Sequence, residues 1–298
     1  MAKGTELFAM PGFAECAGRL AALLGIPCKG VDIHSFPDGE SLVTVRNSAH
    51  TAILYCSLDY PNTKLVELTL AAAALRDQGV ERLILMAPYL CYMRQDTAFH
   101  AGEAVSQRVI GNWLAGLFDR IITVDPHLHR TPDIKDVFPG AEADALSATS
   151  ALAGLIRDDN CSEDFVLVGP DGESRQWVQQ IAALLSVPML IGDKVRDGDR
   201  RVRIDIPHRE QVSGRIAYVV DDVVSSGVTL ATSAELLIES GASRVEVIVV
   251  HALCGPDDLT RMKNAGIARL RSTDSVLHPT NAVSLAPLLA GALENEVG

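Results

Sequence analysis

Apolar residues in this chain follow two alternating patterns. Short continuous runs predict buried strands at 5–9, 30–36, 41–45, 51–57, 82–87 and 121–124, while recurrence every three to four positions predicts helices at 14–24, 64–77 and 103–117. Asn62 or Thr63 offers an N-cap to the second of these helices, and Gly79 offers a stop. The alternation of strand and helix predicts an α/β fold in which a largely parallel sheet is flanked by helices and ligands sit at the carboxyl ends of strands. Residues 75–88 and 237–250 echo one another, each reading helix, Gly, two residues, Arg, strand, with the second copy 162 positions after the first. The echo predicts two duplicated domains, 1–145 and 146–298. Between them Gly, Ala and Ser interrupt the pattern near 139–150, before a helix expected at 151–157.

Composition matters mainly for what it excludes. A length of 298 residues fits two domains of ordinary size. Hydrophobic residues make up 48%, yet no uninterrupted apolar span approaches the roughly 20 residues of a membrane helix. The opening residues lack the apolar region of a signal peptide, so the expectation is a cytoplasmic protein with no membrane partner. The six cysteines are scattered without a Cys-x-x-Cys pair, which argues against a zinc ribbon or a disulfide scaffold. With 38 acids against 26 bases the net charge is −12, which argues against nucleic acid as a partner. Anionic substrates must therefore be met by local basic clusters.

Candidate chemistry falls just after the predicted strands. In the stretch 215–230, Tyr218, Val219 and Val220 read as a buried strand, Asp221 and Asp222 follow, and Ser225-Ser226-Gly227 turns into a helix stopped by Gly241. Backbone N–H groups in such a turn converge, and with the helix dipole and the Ser226 and Thr229 hydroxyls they favour a phosphate. Two carboxylates beside it suit sugar hydroxyls or a divalent cation, so the combination points to a ribose phosphate. Taken alone, the stretch also fits an ordinary turn with Ser226 as helix N-cap. Residues 166–175 repeat the strand, turn and helix start, with Asp171 in the turn and a second anion nest expected. Residues 193–203 place Lys194 and Arg196 in a basic surplus around Gly198, which by itself also fits a solvated hairpin. Earlier in the chain, 36–40 is an acidic turn between strands, and alone reads as a hairpin. Arg94-Gln95-Asp96 follows another strand, where a guanidinium fork can reach phosphate oxygens and an amide can reach a base or sugar. In 125–129 the pair His127 and His129 lacks the further ligands of a zinc site, leaving His127 to meet a metal-bound phosphate and His129 a structural role. Neither a Walker A sequence nor a dinucleotide fingerprint occurs.

In this order the motifs resemble the ribose-phosphate diphosphokinase (PRPP synthetase) family over nearly the whole chain. The resemblance implies two type I phosphoribosyltransferase-like domains. It implies transfer of the diphosphoryl group of ATP to the C1 hydroxyl of ribose 5-phosphate, giving 5-phosphoribosyl 1-diphosphate (PRPP) and AMP with Mg²⁺. Residue by residue, it implies ATP contacts for Arg94, Gln95 and Asp96, and for Phe36, Asp38 and Glu40 donated by a neighbouring subunit. It places His127 and Asp171 at the metal-nucleotide, Asp221, Asp222, Ser225, Ser226, Gly227 and Thr229 at ribose 5-phosphate, and Lys194 and Arg196 on a catalytic loop. A homo-oligomer of the dimer or hexamer-of-dimers type, with an active site shared between subunits, is implied as well. The chain departs from the family pattern at Pro126, at the bulkier turn 172–175, and at Ser225 and Val228 of the phosphate loop. Two other readings are a phosphoribosyltransferase, which needs no ATP triplet, and a regulatory homologue with weak catalysis.

Overall fold

The computed structural model describes residues 4–128, 130–159, 164–197 and 201–297, and within these the side chains other than those of 194–197 and 201–203. His129 and Gly198 therefore lie outside the described residues, as do the side chains of Lys194 and Arg196. Two compact units form, Met1–Ser147 together with Ser284–Gly298, and Ala148–Val283.

The first unit runs β1 (Thr5–Ala9), α1 (Ala14–Leu24), β2 (Cys28–Gly30), β3 (Asp32–Ser35), β4 (Ser41–Thr44), β5 (Thr51–Tyr55), α2 (Pro61–Asp77), β6 (Arg82–Met86), α3 (Ser106–Ala115), β7 (Arg120–Val124) and β8 (Glu142–Leu146). Six strands pair in parallel in the order β2-β1-β5-β6-β7-β8, and β3 pairs with β4 as a separate antiparallel hairpin. After their first residues, Thr51 and Arg82, the central strands β5 and β6 run apolar, with Ile53, Leu54, Ile84 and Leu85 fully buried, as a parallel sheet covered on both faces requires.

The second unit runs α4 (Thr149–Asp159), β9 (Phe165–Gly169), α5 (Arg175–Leu185), β10 (Met189–Ile191), β11 (Asp193–Asp197), β12 (Arg201–Asp205), β13 (Ile216–Val224), α6 (Val228–Glu239), β14 (Arg244–Ala252), α7 (Pro256–Asn264), β15 (Ile267–Thr273) and β16 (Asn281–Val283). Its parallel sheet has the order β10-β9-β13-β14-β15-β16, with β11 and β12 as the hairpin. Both sheets thus have their strands, counted in chain order, as 2-1-3-4-5-6, each with a hairpin between its second and third strands. The repeated sequence occupies equivalent places, since β6 and β14 are the fourth strands of their sheets. Gly79 (φ 84°) and Gly241 (φ 89°) end the helices before them, their N–H groups donating at 2.9 Å to Arg76 and Ile238 carbonyls respectively.

Local chemistry explains where elements differ from their expected bounds. The expected strand 30–36 divides at Val31, so that β2 joins the sheet and β3 turns away into the hairpin. Helix α2 starts at Pro61, whose fixed φ suits a first helical position, so that the expected caps Asn62 and Thr63 lie within its first turn. Helix α3 starts at Ser106 because Glu103 accepts the N–H groups of Phe99 and His100 and closes a turn of its own. Strand β13 continues past Val220 to Val224, because β14 is long enough to pair with Asp221, Val223 and Val224. No helix among the described residues is long and apolar enough to cross a membrane.

Residues 284–298 pack with the first unit, whereas the sequence places them in a second domain 146–298. Helix α8 (Ala286–Leu293) lies against α1, burying Leu285, Leu289 and Leu293. Beyond it Glu296 meets Arg82 through both carboxylate oxygens, at 2.6 and 2.7 Å, and Arg120 at 3.0 Å. The Arg82 hydrogen bonds hold the Glu296 carboxyl below the usual range. A depressed carboxyl stabilises the fold above the unfolded value and loses that effect as pH falls through the folded value. Replacing Glu296→Gln is expected to cost about 1–2 kcal/mol at pH 7, limited by solvent at the Arg82 head. In urea melts the difference from wild type should narrow below pH ~4.5; a gap independent of pH would show that the charge contributes nothing.

Candidate active site

Three adjacent strands of the second unit deliver the candidate residues from one edge of the sheet. The β11–β12 hairpin follows β10, the Asp171 turn follows β9, and the Ser225–Gly227 turn follows β13, and these strands are neighbours in the order β10-β9-β13. Lys194 and Arg196 stand on β11, paired in register with Ile204 and Val202. Crowding holds the strand ends together. A Cβ at Gly192 would lie 2.5 Å from the Pro170 carbonyl, and one at Gly169 would collide with Ser174 Oγ.

Asp171 is buried and organises its own turn. Its Oδ1 accepts the N–H groups of Glu173 at 3.0 Å and Ser174 at 3.3 Å, while Ser174 Oγ donates back to the Asp171 carbonyl at 2.7 Å. The anion nest expected over this turn is therefore already occupied at two of its donors by a carboxylate from the same chain. On β13 burial alternates from Asp221 to Val224, which leaves Asp221 half-buried and Asp222 buried, as a strand's alternation of faces requires. Asp221 Oδ1 accepts the Asp222 N–H at 3.0 Å. Desolvation, followed by the charges of Asp222 and Asp171, pushes the Asp221 carboxyl well above the usual carboxylate range.

The turn after β13 leaves its polar groups exposed. Ser225 and Ser226 are exposed and Thr229 half-buried, and the N-cap of α6 is Gly227 (φ 68°), with no side-chain cap from Ser226. Gly227 is required twice over, by its left-handed backbone and because a Cβ there would come within 2.7 Å of Met262 Sδ. Arg261 reaches the turn from α7, donating to the Ser226 carbonyl at 2.7 Å and to Asp258 at 2.9 Å. Sequence reasoning had no signal for Arg261, which sits 35 positions beyond Ser226 on a different helix.

In the first unit, Arg94-Gln95-Asp96 and His127 follow the neighbouring strands β6 and β7. Asp96 presents both oxygens to Arg130, whose Nη1 donates at 2.7 Å and whose backbone N–H donates at 3.2 Å, and so ties the triplet to the segment after β7. Gln95 accepts from Ser106 Oγ at 2.6 Å. Arg94 is exposed, His127 half-buried, and the preceding Asp125 holds a positive φ of 37°. The 36–40 turn closes the β3–β4 hairpin through the Phe36 N–H to Glu40 carbonyl bond at 2.8 Å. Phe36, Asp38 and Glu40 are exposed. Missed from sequence here are Arg130 and Gln107, whose buried Nε2 has no partner among the described residues.

Residues 5–117 match the N-terminal domain of ribose phosphate pyrophosphokinase, and residues 142–283 match a phosphoribosyl transferase domain. The chain is 33% identical over 282 residues to the ribose-phosphate pyrophosphokinase of Methanopyrus kandleri, covering 94% of this chain and 95% of that one. To that of Methanothermobacter thermautotrophicus it is 30% identical over 284 residues, covering 94% and 97%. The crystal structure of phosphoribosylpyrophosphate synthetase from Mycobacterium smegmatis is similar with a TM-score of 0.86 at 27% identity, covering 98% of both chains. With two domains of the phosphoribosyltransferase type and relatives that match it almost from end to end, this chain belongs to the ribose-phosphate pyrophosphokinase family.

Proposed function

We propose that this protein transfers the diphosphoryl group of ATP to the C1 hydroxyl of ribose 5-phosphate, giving PRPP and AMP. The observation that carries this reading is the placement of a carboxylate turn and an open hydroxyl-and-N–H turn at the ends of the neighbouring strands β9 and β13. In this reading Ser225, Ser226, Thr229 and the Gly227 N–H hold the 5-phosphate, and Asp221, the more open of the two acids on β13, accepts from ribose hydroxyls. Asp222, buried on the other face, acts through its charge on Asp221 rather than as an equivalent sugar ligand.

The acid cluster fits a magnesium ion. Among the described residues no group of three or more His, Cys, Asp or Glu side chains is arranged as a complete metal site. Magnesium needs no such cage, because it keeps water and takes substrate phosphate oxygens alongside one or two carboxylates. Asp171 and Asp221 are the carboxylates assigned to it, His127 is assigned to the metal-nucleotide on the family resemblance, and the ion would supply neutralisation of phosphate charge.

The chemistry asked of the chain itself is positioning and charge compensation. The C1 hydroxyl releases its proton to solvent as its oxygen bonds to the β-phosphorus, the α–β bridge breaks and negative charge moves to AMP. Arg94, Lys194 and Arg196 are the cations assigned to that charge. Phe36, Asp38 and Glu40 are assigned to adenine on an adjacent protomer. Within one unit their hairpin follows the edge strand β2, three strand spacings or about 14 Å from β6, which carries the Arg94 loop.

A coupled assay tests the reading directly. AMP should form from ATP in strict dependence on ribose 5-phosphate, and ribose-independent AMP release would refute it. Gly227→Val should raise the KM for ribose 5-phosphate roughly tenfold or more while moving that for ATP within about twofold, because strain and the Met262 contact fall on the phosphate turn. Equal effects on both substrates would remove the phosphate assignment.

Asp221 gives a pH prediction of the opposite sign to that of Glu296. Its carboxyl is raised in the folded state, so between the unfolded and folded values the native protein holds more protons and stability falls as pH rises. Asp221→Asn should accordingly raise Tm at neutral pH, abolish most activity, and lose its stabilising margin when Mg²⁺ is added to both proteins. A lowered Tm would show that Asp221 is a structural carboxylate.

Mixing variants tests the shared site. Lys194→Ala should lower kcat by a factor on the order of 10²–10⁴, and Phe36→Ala should raise the KM for ATP roughly tenfold. Re-associated from a denatured mixture, the two should recover up to about a quarter of wild-type activity, since mixed pairs keep one intact site. No recovery despite mixed assembly would place both residues in the same protomer's site.

A further inference from the structure

We infer that Arg261 is a positioning residue that aims the Gly227 N–H at the ribose phosphate, an inference that rests on the phosphate assignment of the turn after β13. The Ser226 carbonyl and the Gly227 N–H belong to one planar trans peptide and point in opposite directions. The Arg261 guanidinium holds that carbonyl at 2.7 Å, so the N–H of the same peptide is turned away from α7. Among the described residues Gly227 N–H has no acceptor, which leaves it as a donor fixed in direction before any anion arrives.

The guanidinium is itself fixed by α7. Asp258 divides its two oxygens, Oδ1 accepting from Arg261 at 2.9 Å and Oδ2 accepting the N–H of Gly255, the N-cap residue of the helix, at 3.0 Å. Met262, the next residue along, is buried and lies where a Cβ on Gly227 would fall. Two consecutive residues of one helix therefore back two consecutive residues of the turn, one by a charged hydrogen bond and one by packing. A peptide free to rotate would present its carbonyl to the phosphate in part of its conformations, so fixing it removes a repulsive state as well as retaining an attractive one.

The variants Arg261→Met, which keeps length and loses both hydrogen bonds, and Arg261→Lys, which can keep one, separate this role from simple packing. With ¹⁵N-labelled protein the Gly227 amide is followed during titration with inorganic phosphate and with ribose 5-phosphate. In wild type it should move downfield on binding, Arg261→Met should weaken the affinity for both by roughly tenfold or more, and Arg261→Lys should fall between. In steady state the loss should appear in the KM for ribose 5-phosphate, with the KM for ATP within about twofold. If Arg261→Met does not fold, Arg261→Lys carries the same titration. Affinities equal to wild type, or a Gly227 amide that does not respond to phosphate in wild type, would overturn the inference. A responsive Gly227 that depends on Arg261 in a protein forming no AMP would instead refute the diphosphokinase reading and leave this inference standing.

Discussion

Parallel strands can pair only when the chain crosses over between them, and each crossover leaves from the same edge of the sheet. In the second unit this constraint alone brings 171, 194–196 and 221–229 together, although they are separate in sequence. They follow β9, β10 and β13, and the pairing order makes those strands adjacent. Without those parallel pairings, the carboxylates, the hydroxyl turn and the basic hairpin would be unrelated loops. The first unit obeys the same rule, and there the ion pair between Asp96 and Arg130 fastens two neighbouring loops to each other.

The site works against the stability of the fold that carries it. Asp171 satisfies its turn by accepting two N–H groups, a favourable local arrangement, yet the same carboxylate adds to the charge that Asp221 must bear. Like charges gathered on strands of a buried sheet cost free energy unless a cation or a hydrogen-bonding ligand joins them. Such a conflict between local satisfaction and net charge is expected where binding has been favoured over stability. On the other side of the turn, Arg261 and Met262 provide the rigidity that the acids do not.

Much of the architecture was legible in sequence because a parallel sheet covered on both faces writes itself as uninterrupted apolar runs. The bounds of β1 and α1 fell where the pattern placed them, and the echo between 75–88 and 237–250 marked equivalent strands. What was not legible depended on neighbours. The extension of β13 through Asp221 and Asp222 required knowing the length of β14, and it alone separates the two acids onto different faces. The start of α3 depended on Glu103 turning back on Phe99 and His100. Arg130 reaches Asp96 and Arg261 reaches Ser226 across 34 and 35 positions, contacts that no spacing rule announces. The return of residues 284–298 to the first unit is a matter of helix α8 meeting α1, far away along the chain.

That return bears on how the molecule is made. Arg82 and Arg120 meet Glu296, which comes 214 and 176 positions after them. At a synthesis rate of about 5–20 residues per second, Arg82 waits roughly 10–40 seconds for Glu296 to be translated. Residues 148–283, by contrast, form their unit from one unbroken stretch. The order of synthesis therefore runs against the order of completion: the unit that begins first along the chain is completed by residues made after the whole of the second unit's stretch, and until then Arg82 and Arg120 have only their nearer carboxylates, Glu142 and Asp144.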